Sequence, residues 1–302
     1  DQAAVKQLVA AGTKGMRWVP NPGPQTEAFD CEADELLYGG QAGGGKTELI
    51  IGLSLTSHQE SLVLRRTHAE ADKLFDRYAA IIGHENGANR QKGWKIDGRN
   101  IEIGGVQLEK DKQKRKGVGK DLICFDELVD FTESQYVFIS TWNRTTIPGQ
   151  RCRVVSTTNP PTTPEGMWVI KRWAAWLDPK HPKPAKSGEI RWYVNISGQE
   201  QEVEGRGPYY DEGRQVLAKS RCFIRSTLED NPDLAATDYG ATLDSLPPEM
   251  RAAFRDGHFD AGLKDQPFQL IPTEWIRLAQ KRWEEHPHPP NGVPMCAIGV
   301  DV

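Results

Sequence analysis

The chain has 302 residues, a formal net charge of −4 and five cysteines, which is enough length for one large or two modest domains with a sizeable core. The slightly acidic balance gives no overall signature of nucleic-acid binding, so any DNA contact must come from a local basic patch. No apolar run approaches the ~18 residues of a membrane span. The cysteines are scattered without C-x-x-C spacing, which argues against a disulfide framework or zinc site and fits a reducing cytosol.

The N-terminal part is predicted to begin with a helix over residues 3–11 and to continue as a Pro-rich connector to residue 34. A short apolar run at 36–38 predicts a buried strand, and a helix is predicted to begin near Lys46. Further predicted elements are strands at 61–66, 121–127 and 151–160, helices at 69–82 and 133–142, and a hairpin at 101–109 that turns at Gly104 and Gly105. Alternating strands and helices predict an α/β fold with a mainly parallel central sheet flanked by helices.

The pattern changes after Pro161, where a helix at 164–176, a hairpin at 189–205 and several short helices are predicted. Four parts are therefore expected along the chain. They are an N-terminal helix and connector (1–34), a core (35–163), a lid or linker subdomain (164–262), and a linker that leads into a new strand (263–302). The start without methionine and the end within an apolar run predict that function continues beyond both ends.

The segment "LLYGGQAGGGKTEL" at 36–49 places glycines before a lysine and a threonine. Its spacing matches G-x-x-x-x-G-K-[ST], in which backbone N–H groups wrap phosphates, the lysine reaches the terminal phosphates and the threonine binds Mg²⁺. Glycine allows positive φ and close approach to the anion, and the following helix adds its positive end. The residues predicted to contact a nucleotide in this segment are Gly40, Gln41, Ala42, Gly43, Gly44, Gly45, Lys46, Thr47 and Glu48. The alternative is a Gly-rich turn that happens to precede a lysine.

The segment "LICFDE" at 122–127 predicts a buried strand that ends in two carboxylates. Asp126 emerges at the carboxyl end of this strand, where ligands bind open α/β sheets. It suits ligation of Mg²⁺ together with Thr47, and Glu127 suits polarising the attacking water, so Glu127 and Lys46 are the first catalytic candidates. The alternative for the acidic pair is a helix N-cap.

A third polar cluster follows the next buried strand, in "VVSTTNP". The strand ends in Ser156, Thr157, Thr158 and Asn159, whose side chains are predicted to lie beside the nucleotide and to sense its terminal phosphate. Asn159 is therefore included among the nucleotide-binding residues. The alternative is a strand that ends in an Asn-Pro turn.

Taken together, "LLYGGQAGGGKTE", "LVLRRT", "RKGVGKDLICFDEL" and "RVVSTTNPP" resemble the ATPase half of the large terminase subunit of tailed bacteriophages. Their order and spacing match over roughly residues 20–260. The resemblance implies a RecA-like P-loop NTPase fold of the ASCE type with a small lid. The final "IGVDV" resembles the first strand of the family's RNase H-like nuclease domain, where Asp301 matches a metal-binding carboxylate and the remaining nuclease site is absent.

The function implied by this resemblance is a motor that uses ATP and Mg²⁺ to translocate double-stranded viral DNA into a procapsid. Its implied partners are the portal protein, the small terminase subunit and further copies of itself in a ring, expected to be a pentamer, in the host cytoplasm and without a membrane. The motif "STTNP" matches the one that couples hydrolysis to movement. Gln25 falls where the family's adenine-contacting glutamine precedes the phosphate loop, although by residue type it is only a polar residue at a helix start.

One departure from the family concerns arginine. Some relatives carry a basic residue early in the phosphate loop, where this chain has Gln41 and Ala42. An arginine on the developing charge is worth about 10³–10⁵ in rate, so it must come from elsewhere. Arg144, supplied by a neighbouring subunit, is the first candidate. Arg65 and Arg66 are the alternatives, and for each a solvated or salt-bridged arginine stays open.

The segment "EKDKQKRKGVGK" at 109–120 concentrates six basic residues and is the predicted contact with the DNA backbone; a solvated surface loop is the alternative. Two other functions stay open. A helicase-like ATPase would normally carry a second RecA-like domain, whereas no second set of strand–helix units is predicted after residue 160. A nucleotide-gated switch without turnover would not need the second carboxylate of the acidic pair.

Overall fold

The structure, a computed structural model, describes residues 17–259 together with positions 271, 275, 278, 279 and 282. The chain divides into two compact units, Asp1–Gly262 and Leu263–Val302, and the strands and helices between Pro24 and Phe254 belong to the first. The helix predicted over residues 3–11 and the strand containing Asp301 lie outside the described residues.

The described strands and helices alternate through the first half of this unit. The strands are β1 (Glu35–Gly40), β2 (Glu60–Arg65), β3 (Ala88–Asn89), β4 (Gly93–Ile96), β5 (Arg99–Gly105), β6 (Leu122–Asp126), β7 (Arg153–Thr158), β8 (Ile190–Ile196), β9 (Gln199–Val203), β10 (Tyr209–Asp211), β11 (Arg214–Val216) and β12 (Lys219–Ser226). The α-helices are α1 (Pro24–Asp30), α2 (Lys46–Thr56), α3 (His68–Ile82), α4 (Glu133–Ser140), α5 (Met167–Arg172), α6 (Ala174–Leu177), α7 (Pro232–Ala235), α8 (Tyr239–Asp244) and α9 (Pro248–Phe254), with 3₁₀ helices at Glu109–Arg115, Leu128–Asp130 and Pro164–Gly166.

Ten of these strands form one sheet in the order β3-β4-β5-β2-β6-β7-β1-β12-β8-β9. The six central strands, from β5 to β12, pair in parallel, and antiparallel strands extend the sheet at both ends. Strand β7 lies between β1, which leads into the Gly-rich loop, and β6, which carries the acidic pair. The predicted α/β fold with a mainly parallel central sheet flanked by helices is confirmed.

Two large apolar layers form most of the described core, one on each face of the sheet, and a small third cluster contains Ala42 of the Gly-rich loop, Leu228 and Leu243. Consecutive residues of a strand pack into opposite layers. Leu36 and Cys124 belong to one layer, and Leu37 and Phe125 belong to the other. A parallel strand that is covered on both faces needs an unbroken apolar run. This requirement explains why the sequence alone predicts these strands.

The hairpin predicted at 101–109 is wrong. Residues Arg99–Gly105 form a single strand, and the turn instead joins β4 to β5 through Asp97 and Gly98, which both have positive φ. Gly105 is required for close packing, because a Cβ there would come within 2.8 Å of the backbone nitrogen of His68. The glycines at 104 and 105 are therefore explained by close packing within a strand. The turn is formed by Asp97 and Gly98, and an Asp-Gly pair is the stronger hairpin signal.

Two further features add to the sequence-based expectations. The Pro-rich connector contains a helix, α1, which has proline at its first position because that position needs no N–H donor. The segment predicted as a lid or linker subdomain, residues 164–262, contributes β8, β9 and β12 to the central sheet. Within the described residues, no helix is both long and apolar enough to cross a membrane.

Candidate active site

The Gly-rich loop between β1 and α2 has the backbone that its sequence predicted. Gly40, Gly43 and Gly45 have φ values of 141°, 87° and 72°, which residues with a side chain rarely adopt. A Cβ on Gly44 would lie 2.6 Å from the Ser226 hydroxyl oxygen. The loop leads into the N-terminus of α2, so its N–H groups and the helix dipole favour a bound anion.

Lys46 is the first residue of α2 and is largely buried. Its Nζ donates to the carbonyl oxygen of Gln41 at 2.7 Å and to Oδ1 of Asn159 at 2.8 Å. Burial lowers the pKa of Lys46, against the opposing effect of Glu127 and Asp126. The predicted lysine and the predicted asparagine therefore meet, although they are far apart in the sequence.

Asp126 lies at the carboxyl end of β6 and is fully buried. Its Oδ1 accepts a hydrogen bond from Thr157 at 2.6 Å, and its Oδ2 accepts one from Thr47 at 3.0 Å. The threonine hydroxyl and the carboxylate are hard oxygen ligands of the kind that Mg²⁺ prefers, and Mg²⁺ commonly takes its other ligands from water and phosphates. The residues thus fit the predicted metal. No group of three or more His, Cys, Asp or Glu side chains that could hold a metal occurs within the part of the chain that the structure describes.

Glu127 follows directly and has a left-handed backbone, with φ 61° and ψ 67°. Its carboxylate accepts hydrogen bonds from the backbone N–H and the side-chain amide of Asn159, at 3.3 and 3.4 Å. Burial raises the pKa of Glu127; Asp126 acts in the same direction and Lys46 opposes it. A carboxylate with a raised pKa beside a phosphate loop suits a general base.

The three arginine candidates occupy different places. The guanidinium of Arg65 forms an ion pair with Asp126, 2.7 Å from Oδ2, and so reaches the site within its own chain. Arg66 is bonded to the Val106 carbonyl oxygen and, at 2.6 Å, to the side chain of Gln135.

Arg144 is exposed and lies 4.9 Å from the centre of the Trp142 ring. Its backbone N–H donates to the carbonyl oxygen of Lys120, which precedes the start of β6. Asp126 lies at the other end of that strand. Arg144 is therefore remote from the site of its own chain, and its predicted role requires a neighbouring subunit.

A cavity of about 640 Å³ opens beside the phosphate loop. Its lining includes most of the predicted loop residues, Glu48, Glu127 and Asn159, and also Trp18, Arg77, Asn231 and Tyr239, which sequence reasoning did not single out. Gln25 also lines it, and there its amide donates to the carbonyl oxygen of Gly45 at 2.9 Å and accepts from the backbone N–H of Asn21 at 2.6 Å.

The phosphate loop is also held by a segment much later in the chain. Gln41 Oε1 accepts from the backbone N–H of Leu228 at 2.9 Å, and the carbonyl oxygen of Gly43 accepts from the Asn231 amide at 2.8 Å. The backbone N–H of Ala42 donates to the carbonyl oxygen of Phe254. No local signal could have found these contacts, because they depend on β12 pairing beside β1.

The fold and this site define the class as a P-loop NTPase. Solved structures with a related fold include the large terminase from a thermophilic bacteriophage in complex with ADP (12% identity, TM-score 0.49, covering 80% of this chain and 54% of that one) and the Thermus phage P74-26 large terminase ATPase domain (12% identity, TM-score 0.47, covering 82% and 96%). The chain spans about half the length of the first of these two proteins. No family model and no curated protein matched the sequence. The matched structures are large terminases, the family that the sequence motifs resemble.

Proposed function

We propose that this chain is the ATPase part of a motor that packages double-stranded viral DNA. The observation that carries the ATPase proposal is the convergence of Lys46, Thr47, Asp126, Glu127 and Asn159 at the carboxyl ends of β1, β6 and β7. Two hydrogen-bonded sets meet there: Lys46, Asn159 and Glu127 form one, across up to 113 positions of the sequence, and Thr47 and Asp126 form the other. Together the two sets would supply a phosphate cation, metal ligands and a water-orienting carboxylate.

Each residue has a distinct role in this proposal. The loop N–H groups and Lys46 bind the phosphates, and Thr47 with Asp126 would hold Mg²⁺, which neutralises charge on the transferred phosphoryl group. Glu127 orients the attacking water and accepts its proton. Asn159 contacts both Lys46 and Glu127. It can therefore couple phosphate binding at Lys46 to the position of the Glu127 carboxylate.

The cavity beside the loop is the proposed site of the base and ribose. Gln25 lies at its wall and carries the amide that the family resemblance assigns to adenine. In this structure that amide holds Gly45 and Asn21 together. The amide keeps a second N–H and a second lone pair on its oxygen for a further partner, and ATP specificity through Gln25 stays a prediction.

The motor proposal adds partners that rest on the sequence resemblance. They are double-stranded DNA, a portal on a procapsid, a small terminase subunit and a homo-oligomeric ring. Two donors of the arginine stay in competition: Arg144, on the surface of one subunit, would reach the site of the next in a ring, whereas Arg65 reaches the site of its own chain.

The test of the motor proposal is phosphate release by the wild-type chain, measured alone, with linear double-stranded DNA, and with DNA plus portal-bearing procapsids. We expect turnover to rise with each addition and DNA to become protected from nuclease inside procapsids. The Lys46→Ala variant serves as the control for contaminating ATPases. Turnover that is unaffected by DNA and procapsids would contradict the motor while leaving the ATPase intact.

A further inference from the structure

Arg65 contacts the proposed metal carboxylate within its own chain. Strand β2 pairs in parallel with β6, with Leu64 opposite Phe125, so the next residues, Arg65 and Asp126, lie side by side where both strands end. The guanidinium is 2.7 Å from Oδ2 of Asp126. The strand order therefore places a permanent positive charge on a buried carboxylate.

The oxygen that Arg65 contacts is the one that Thr47 also contacts. Oδ1 of Asp126 accepts from Thr157 at 2.6 Å and more weakly from Thr47 at 3.4 Å, whereas the closer contact of Thr47, at 3.0 Å, and that of Arg65, at 2.7 Å, are both with Oδ2. A cation held between the Thr47 hydroxyl and Asp126 would have to share Oδ2 with the guanidinium. Like charges a few ångströms apart in a buried site repel strongly, so the two cations compete for this oxygen.

Arg65 is held less firmly than its neighbour in the sequence. Its Nε is buried without a hydrogen-bond partner among the described residues, and its side chain is 22% exposed. Arg66 instead bonds both a carbonyl oxygen and a side-chain amide. The charge of Arg65 also acts to lower the pKa of both Lys46 and Glu127.

We infer that Arg65 is a competing cation: it neutralises Asp126 in the free protein, is displaced when the metal–nucleotide complex binds, and then supplies positive charge beside the terminal phosphate. This inference rests on the proposed ATPase function and deepens it. It assigns the catalytic arginine to the same chain and couples its release to loading of the metal. Before binding, the charges of Lys46 and Arg65 balance those of Asp126 and Glu127. When the metal replaces Arg65 on Asp126, the guanidinium becomes free to balance the charge of the added phosphates.

The test compares metal dependence with turnover in Arg65→Gln. At fixed fluorescent ADP, the Mg²⁺ concentration for half-maximal binding should fall about tenfold, because the competing charge is gone. Phosphate release should fall about a thousandfold, within the range for loss of a catalytic arginine. Arg90→Gln, with the same charge change at an exposed arginine that pairs with Asp76, should alter neither property beyond about twofold.

Arg65→Lys separates charge from geometry. It should keep the Mg²⁺ dependence of the wild type and still lose most turnover, because lysine lacks the planar fork of arginine; thermal unfolding without ligand checks that each variant folds. The inference is overturned if Arg65→Gln binds Mg²⁺ no more tightly than the wild type, or if Arg65→Lys turns over normally. If the wild type binds no ADP at any Mg²⁺ concentration, the ATPase proposal itself fails.

Discussion

Glu127 is a buried carboxylate on a left-handed backbone, and both features cost stability. A residue other than glycine keeps a left-handed backbone conformation only when the surrounding structure enforces it. Burial also raises the pKa of the Glu127 carboxyl group above its ordinary value of 4.5. The folded protein therefore binds this proton more tightly than the unfolded chain does. Stability must fall as the pH rises from about 4.5 through the raised pKa, and the full cost is present above it.

We therefore expect Glu127→Gln to be more stable than the wild type at pH 7–8 and much less active. The neutral amide removes the cost of a buried charge and keeps an acceptor for Asn159, whereas loss of the general base should lower turnover by about 10²–10⁴. Thermal unfolding between pH 4 and 8 checks the first part, since the stability difference should vanish near pH 4, where Glu127 is itself protonated. A difference that is independent of pH, or normal turnover, would contradict the assignment.

At the scale of elements, the base of the sheet is held by a buried ionic cluster around Glu35. Its carboxylate, at the start of β1, accepts from Arg172 of α5 at 2.9 Å, from Arg221 of β12 at 3.3 Å and from the Tyr136 hydroxyl of α4 at 3.0 Å. Burial raises the pKa of Glu35, but the two guanidinium groups outweigh it and hold that pKa below 4.5. The cluster joins helices and strands that are distant in the sequence.

Glu35→Gln should destabilise the fold by about 3–5 kcal/mol, because breaking a buried ion pair leaves an uncompensated charge. Asp76→Asn removes the exposed partner of Arg90 and should cost no more than about 1 kcal/mol. Urea unfolding of both variants measures the difference. Equal and small effects would mean that the cluster contributes no more than a surface pair.

The basic segment is largely neutralised within the chain. Lys112 pairs with Glu109, Lys114 with Asp111, Arg115 with Glu102 and the buried Lys120 with Glu60. In the described part of the structure no ion pair is seen for two exposed members, Lys110 and Lys116. If the segment contacts DNA, these two residues should therefore carry most of the contact.

The double variant Lys110→Ala, Lys116→Ala should flatten the plot of log binding constant against log salt concentration by up to about 0.9 per lost phosphate contact. The single variant Lys114→Ala should change it less, since its charge is already compensated by Asp111. Fluorescence anisotropy with a DNA duplex at several salt concentrations measures the slope. An unchanged slope in the double variant would identify the segment as a solvated surface.

The elements that were predicted well are those whose signal is local. Buried parallel strands show as unbroken apolar runs, and α3 shows as an amphipathic pattern with a capping box at Thr67. The errors came from competing local signals. The Gly104-Gly105 pair has the sequence of a turn, but both glycines lie within a strand. A side chain at Gly104 would meet the side chain of Arg115, and one at Gly105 would meet the start of α3.

At the scale of the whole molecule, Arg144 tests whether subunits share a site. Mixing Arg144→Ala subunits, which keep Glu127, with Glu127→Ala subunits, which keep Arg144, should restore some turnover if the arginine is donated across a subunit boundary. In that case each variant alone should be nearly inactive in the assembled state. Full activity of Arg144→Ala in the assembled motor would leave Arg65 as the arginine of the site.

The site was predictable where one segment carries the chemistry and unpredictable where strand order creates it. Lys46, Thr47 and Asp126 follow from short motifs at the ends of buried strands. The approach of Arg65 to Asp126 depends on β2 lying beside β6, and the clamp of Asn231 on the phosphate loop depends on β12 lying beside β1. No short segment of the sequence predicts which strands lie next to each other in the sheet.

The most direct test of the central claim is steady-state phosphate release from ATP by three purified proteins: the wild type, Lys46→Ala and Lys73→Ala. Lys46 is the buried cation of the phosphate loop, whereas Lys73 lies on the exposed face of α3. We expect Mg²⁺-dependent release by the wild type and Lys73→Ala, and at least a hundredfold loss in Lys46→Ala, about the cost of removing a key electrostatic contact in an active site. Release by Lys46→Ala at the wild-type rate would contradict the assignment of this site as an ATPase.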